Sequence, residues 1–155
     1  MRHITVAILI GLTLSTVASA RQSDPLVLAQ ASPDDPALAK GVKATVLLRS
    51  TQTASKMPFE YPKSGKPELV AVLVEIEPGG RSTLHQHPVP IVVYVLEGTL
   101  TLQAQDGAAQ EYKTGEAFVE DVNLLHQGFN RASTPVKVLA VAVSQEGKPA
   151  TINAK

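Results

Sequence analysis

The chain has 155 residues, with 14 basic against 14 acidic side chains, no cysteine, no tryptophan and 4% aromatic residues. That balance argues against nucleic acid or an anionic membrane as the main partner, and the few aromatics argue against a stacking platform for bases or sugars. Without cysteine no disulfide can form, so stability rests on a hydrophobic core, supplemented where they occur by metal or oligomerisation.

Residues 1–20 read as a secretory signal. Met1-Arg2-His3 make a short basic start, residues 4–18 are uncharged and mostly apolar, and Ala18-Ser19-Ala20 is a small-residue cleavage pattern that makes Arg21 the first mature residue. The apolar run is shorter than the roughly 20 residues of a spanning helix, so a cleaved leader is expected rather than an anchor. The expected compartment is therefore the periplasm or the outside of the cell, with no membrane association after cleavage. Losing Arg2 leaves 13 basic side chains against 14 acidic ones, a net charge near −1.

Residues 21–40 carry three prolines and no sustained period, which predicts a loosely ordered spacer. From Gly41 the chain is β-like, and residues 41–148 are expected to form one domain, followed by a C-terminal tail at 149–155. Residues 43–51 (KATVLLRST) predict a first strand and residues 57–67 (MPFEYPKSGKP) a proline-rich connection. Residues 68–77 (ELVAVLVEIE) predict a strong strand closed by Pro78-Gly79-Gly80. Residues 92–96 (VVYVL) are apolar on both faces, which predicts a strand covered on two sides. Residues 99–105 (TLTLQAQ) alternate cleanly, and Asp106-Gly107 is a strong hairpin signal toward a short strand near 110–113. A short strand follows at 117–120 and a last long strand at 136–143. No segment after residue 40 has convincing helical periodicity, so the fold class is all-β, an antiparallel sandwich or barrel of the jelly-roll kind.

Outside the leader the chain has three histidines, His85, His87 and His126. Alternation along a strand aims His85 and His87 at one point, and a third imidazole arriving from another strand would complete a tridentate metal site.

These residues carry a family resemblance: the chain resembles a single-domain member of the cupin superfamily. The first cupin motif is matched by Gly79, by His85-Gln86-His87 after five intervening residues, and by Gly98. The second is matched by Gly115, His126 and Asn130, with Asp121 and Asn123 in place of its proline and second glycine. The resemblance implies the cupin-type double-stranded β-helix, and it implies His85, His87 and His126 as ligands of one divalent transition metal. Ile91 stands where cupins usually place a glutamate ligand, so the site is similar to that of three-histidine cupins such as thiol and diketone-cleaving dioxygenases. Imidazole ligation suits several metals; Fe(II) or Zn is expected, and manganese is less favoured without the carboxylate.

Glu120 is the candidate catalytic residue. Phe118 and Glu120 share a strand face, so if Phe118 points inward Glu120 does too, near His126, as a distant ligand or general acid/base. Asn123 is expected in the left-handed conformation and Asn130 at a strand end with side-chain-to-backbone bonds. Ile91, Phe118 and Phe129 are candidates to line a pocket around the metal, and Phe59 and Tyr61 to cover the barrel mouth. The functional expectation is a metal-dependent enzyme on a small-molecule ligand, dioxygenase-like, with substrate chelating the metal. The alternative is a non-catalytic exported barrel that binds a metal or small ligand. A homodimer is expected, with the apolar first strand adding to a neighbour's sheet edge.

Overall fold

The computed structural model describes residues 41–155 apart from Asp106. The signal at 1–20, the spacer at 21–40 and the first residue of the Asp106-Gly107 turn lie outside the described residues. The unit formed by Ala44–Lys155 carries all the strands named below.

Nine strands are present among the described residues: β1 (Pro67–Ile76), β2 (His85–Gln86), β3 (Ile91–Glu97), β4 (Thr99–Ala104), β5 (Ala109–Lys113), β6 (Ala117–Val119), β7 (His126–Phe129), β8 (Val136–Gln145) and β9 (Ile152–Asn153). They form two antiparallel sheets, one ordered β1-β8-β3-β6 and the other β5-β4-β7-β2-β9. This is the antiparallel all-β jelly roll that the turn spacing predicts.

The inner faces follow from strand alternation. Val93 and Val95 of β3, Val136 and Val138 of β8, Leu100 and Leu102 of β4 and Phe118 of β6 are buried between the sheets. Phe118 stacks on Tyr112 at 3.7 Å. The turn between β3 and β4 depends on glycine: Gly98 has φ of 80°, and a Cβ there would sit 2.6 Å from the Pro135 carbonyl oxygen.

Three expectations need correction. Residues 43–51 form no strand; Val42, Val46 and Leu47 are exposed, and the only pairing nearby is a single bridge between Gln52 and Pro58. Strand propensity without a ladder partner leaves the segment unpaired. Strand β3 is covered on its inner side, but Val92 and Leu96 on its outer side stay 36% and 40% exposed, because among the described residues no third sheet covers that face. The 149–155 segment, read as a tail, contains β9, which pairs with β2 through His85↔Asn153 and Gln86↔Ile152.

The two asparagines behave as expected. Asn123 has φ of 57°, and its backbone N–H donates to the His87 carbonyl at 2.8 Å. Asn130 is 1% exposed and its amide donates to the carbonyls of Ile76 and Thr134, both at 2.8 Å, while its Oδ1 accepts from Ala132 N–H at 3.0 Å. It ties the end of β7 to the end of β1 and to the turn that leads into β8.

Candidate metal centre

Strands β2 and β7 bring the imidazoles together. His85 and His126 are direct partners across an antiparallel pair, so both project from the same face, and His87 follows two residues later. The ring centroids are 4.8 Å apart for His85 and His87, 4.7 Å for His85 and His126, and 5.0 Å for His87 and His126. One ligating nitrogen from each lies within 4.8 Å of the others.

Each ring is held by its Nδ1. His85 Nδ1 meets the Thr83 carbonyl at 2.7 Å, His87 Nδ1 the Ala150 carbonyl at 2.8 Å, and His126 Nδ1 the Leu124 carbonyl at 2.9 Å. A carbonyl only accepts, so each Nδ1 carries the proton and each Nε2 is left with a lone pair. That is the arrangement metal-bound histidines use, the outer nitrogen tied to a carbonyl that orients the ring. His87 Nε2 and His126 Nε2 are buried and have no hydrogen-bond partner. Two orphaned imidazole nitrogens facing one point are costly unless something binds there. The donor set therefore fits a divalent transition metal, held by His85, His87 and His126.

Glu120 borders this cluster at the end of β6. Its carboxylate lies 3.0 Å from His87 Nε2 and 3.7 Å from His126 Nε2, and its side chain is 13% exposed. The nearer contact is off the axis on which Nε2 would donate, so it is a charge contact rather than an aligned hydrogen bond. Burial works to lower the pKa of His87, but Glu120, with help from the Ala150 carbonyl, outweighs it and the net shift is upward. At His126 burial dominates; Glu120 and the Leu124 carbonyl oppose it, the other two imidazoles reinforce it, and the pKa is lowered.

His85, His87 and Glu120 line a cavity of about 190 Å³ between the sheets. Val70, Val72, Val74 and Ile76 of β1, Ile91 and Val93 of β3, and Val138, Ala140 and Ala142 of β8 form its walls. Ile91, in the place of the expected glutamate, is thus an apolar wall. The other two proposed wall residues lie elsewhere. Phe118 packs on Tyr112, and Phe129, one residue out of phase with His126 and Gly128, turns outward beneath the Arg131 guanidinium at 5.2 Å. Phe59 and Tyr61 lie with Pro90, Val92, Val119 and Val143 beside the outer face of the first sheet, away from the cavity.

Sequence reasoning missed the support beneath Glu120. Asp121 is 2% exposed; its Oδ1 accepts from the Thr53 hydroxyl and from Ser55 N–H at 3.0 Å, and its Oδ2 accepts from the Ser55 hydroxyl at 2.7 Å. The signal was an aspartate where the second motif has a proline, but its partners lie 66 and 68 residues away. Alternation sends Asp121 outward to this clamp and Glu120 inward to the histidines. Asp121→Ala strands one buried donor, on Thr53, and two part-buried ones on Ser55, and is expected to cost about 3 kcal/mol, read as a drop of roughly 10 °C or more in the unfolding midpoint. A midpoint unchanged within 2 °C would show that the clamp contributes nothing.

Residues 72–142 match the family described as Cupin domain. The chain resembles a double-stranded β-helix protein from Klebsiella pneumoniae with a TM-score of 0.50 and 19% identity, over 63% of this chain and 91% of that one. An oxalate decarboxylase of Lactobacillus farciminis, solved as a formate complex, gives 0.49 and 24% identity over 55% of this chain and 26% of that one. A DMSP lyase from Ruegeria pomeroyi gives 0.49 and 17% over 56% and 43%. At these identities the likeness concerns the fold alone. No curated protein matches the chain.

Proposed function

From the cupin domain that this chain carries at residues 72–142, we propose that it is an exported metal-dependent enzyme acting on a small molecule, with His85, His87 and His126 as ligands and Glu120 as the proton-handling residue. The observation that carries this reading is the set of three imidazoles pinned through Nδ1, with two buried Nε2 atoms lacking a hydrogen-bond partner. A metal on three neutral imidazoles supplies Lewis acidity and open positions for a chelating substrate. Fe(II) would make the reaction dioxygenase-like, and Zn would make it hydrolytic.

The protein's own part is positional. The carbonyls of Thr83, Ala150 and Leu124 fix the ring orientations. The apolar walls limit water near the reacting atoms. Glu120, held beside two of the ligands, can take a proton from a bound substrate and return it to product.

The test is metal content and turnover together, on mature protein purified without chelators. About one equivalent of a single metal, with oxygen uptake in the presence of chelating substrates, supports the enzyme. Tight metal with no turnover of any kind favours the alternative, a non-catalytic exported metal- or ligand-binding barrel. Absence of metal after reloading removes both.

The leader pattern supports a periplasmic or secreted location, testable by recovery of the processed chain starting at Arg21. A homodimer is supported by the outward side chains Leu69, Leu73, Val92 and Leu96, which are exposed on one sheet face. Sedimentation equilibrium is expected to give twice the chain mass; a monomer mass at micromolar concentration would remove the dimer.

A further inference from the structure

The composition of the cavity narrows the ligand, given the metal-centre reading on which this step rests. Among the described residues no lysine or arginine lines it, and Glu120 is the one carboxylate that does. Of its two hydroxyls only that of Ser82 is fully engaged; that of Thr151 can accept from the protonated His87 Nδ1 and keeps its own O–H free. Ser82 Oγ donates to the Thr83 carbonyl at 3.0 Å and accepts from Gly128 N–H at 3.0 Å, and Thr151 Oγ1 lies 3.3 Å from His87 Nδ1. A polyhydroxylated ligand would find few partners, and each unpaired hydroxyl would cost it affinity.

Charge narrows the choice again. A divalent ion, three neutral imidazoles and the Glu120 carboxylate together leave one net positive charge. A monoanion neutralises it. A dianion leaves an unbalanced negative charge among valines and alanines, with no cation to meet it. Size sets the last limit. The volume of about 190 Å³ somewhat exceeds that of a Leu/Ile/Phe-lined cavity of about 150 Å³ that takes benzene, so the occupant has about six to eight non-hydrogen atoms.

We propose that the site takes a small monoanion with a hydrocarbon body, of the class of short-chain aliphatic carboxylates, its head toward the three histidines and its body along Val72, Val74, Ala140 and Ala142. Val72 lines the cavity yet is 47% exposed, which places the mouth at the free edge of β1.

The test titrates the cobalt(II)-loaded mature protein with acetate, butyrate, hexanoate, oxalate and inorganic phosphate, following the visible spectrum of the metal. Affinity is expected to rise about fourfold per methylene from acetate toward hexanoate, with oxalate and phosphate weaker than hexanoate. Val72→Phe, on a half-open edge position that tolerates bulk, is expected to remove most of the chain-length gain while cobalt stoichiometry stays the same. Affinity independent of chain length, or oxalate binding more tightly than hexanoate, overturns the proposal. Failure of the metal reading shows separately, as no cobalt spectrum before any ligand is added. In that event calorimetric titration of the metal-free protein with alkanols reads the cavity alone. Affinity rising with chain length there supports the apolar ligand class, and a flat series overturns it.

Discussion

Replacing His85 and His87 together by alanine is expected to abolish stoichiometric metal uptake, lowering affinity by well over a hundredfold. Loss of a single orienting partner behind a ligand typically costs about 10- to 100-fold in metal affinity, and this change removes two ligands outright. The effect is specific because neither residue anchors the core: His85 lies in a two-residue strand, and the buried apolar cluster is built from other positions. The metal-free double variant is therefore expected to stay folded, and to unfold no earlier than metal-free wild type, since it no longer buries the orphaned His87 Nε2. Metal analysis after dialysis, paired with thermal unfolding of both metal-free forms, makes the check. One equivalent of metal retained by the folded variant would place the ion elsewhere in the chain.

Glu120→Gln is the second large effect. The substitution keeps shape and volume but removes both the charge and the ability to accept a proton, so turnover is expected to fall by about 10²- to 10⁴-fold while metal uptake persists. A second readout does not depend on activity. Glu120 is what carries the His87 pKa upward against the lowering effect of burial, so in the metal-free variant His87 should titrate lower than in wild type. A structural role alone would change stability without coupling these two measurements. If metal affinity, turnover, ligand binding and the His87 titration all match wild type, Glu120 has no part in the site.

The clustering of the three histidines was legible in the sequence because its determinants are local. Spacing of two residues puts His85 and His87 on one side of an extended chain, and the same alternation ties the direction of Glu120 to that of Phe118. The strands with a strong period and clear turns, β1, β3, β4 and β8, were legible for the same reason. What stayed hidden depends on distant partners. The clamp on Asp121 draws its donors from Thr53 and Ser55, and the carbonyl that orients His87 belongs to Ala150. Residues 43–51 have strand composition but find no neighbour, which no local pattern reveals. Phe129 was misplaced for want of register: with His126 pointing in, the third residue after it must point out.

The bond from Ala150 to His87 also joins the end of the chain to its chemistry. The residues that follow run alongside β2, where Ala154 N–H donates to the Leu84 carbonyl at 2.8 Å and the Thr83 hydroxyl to Asn153 Oδ1 at 2.7 Å. Coupling between two sites is reciprocal, so if a metal binds the three histidines, loosening residues 150–155 is expected to weaken it, and filling the site to tighten those residues by the same free energy. Residues 150–155 are thus a poor place to insert foreign sequence and a good place for a reporter of occupancy.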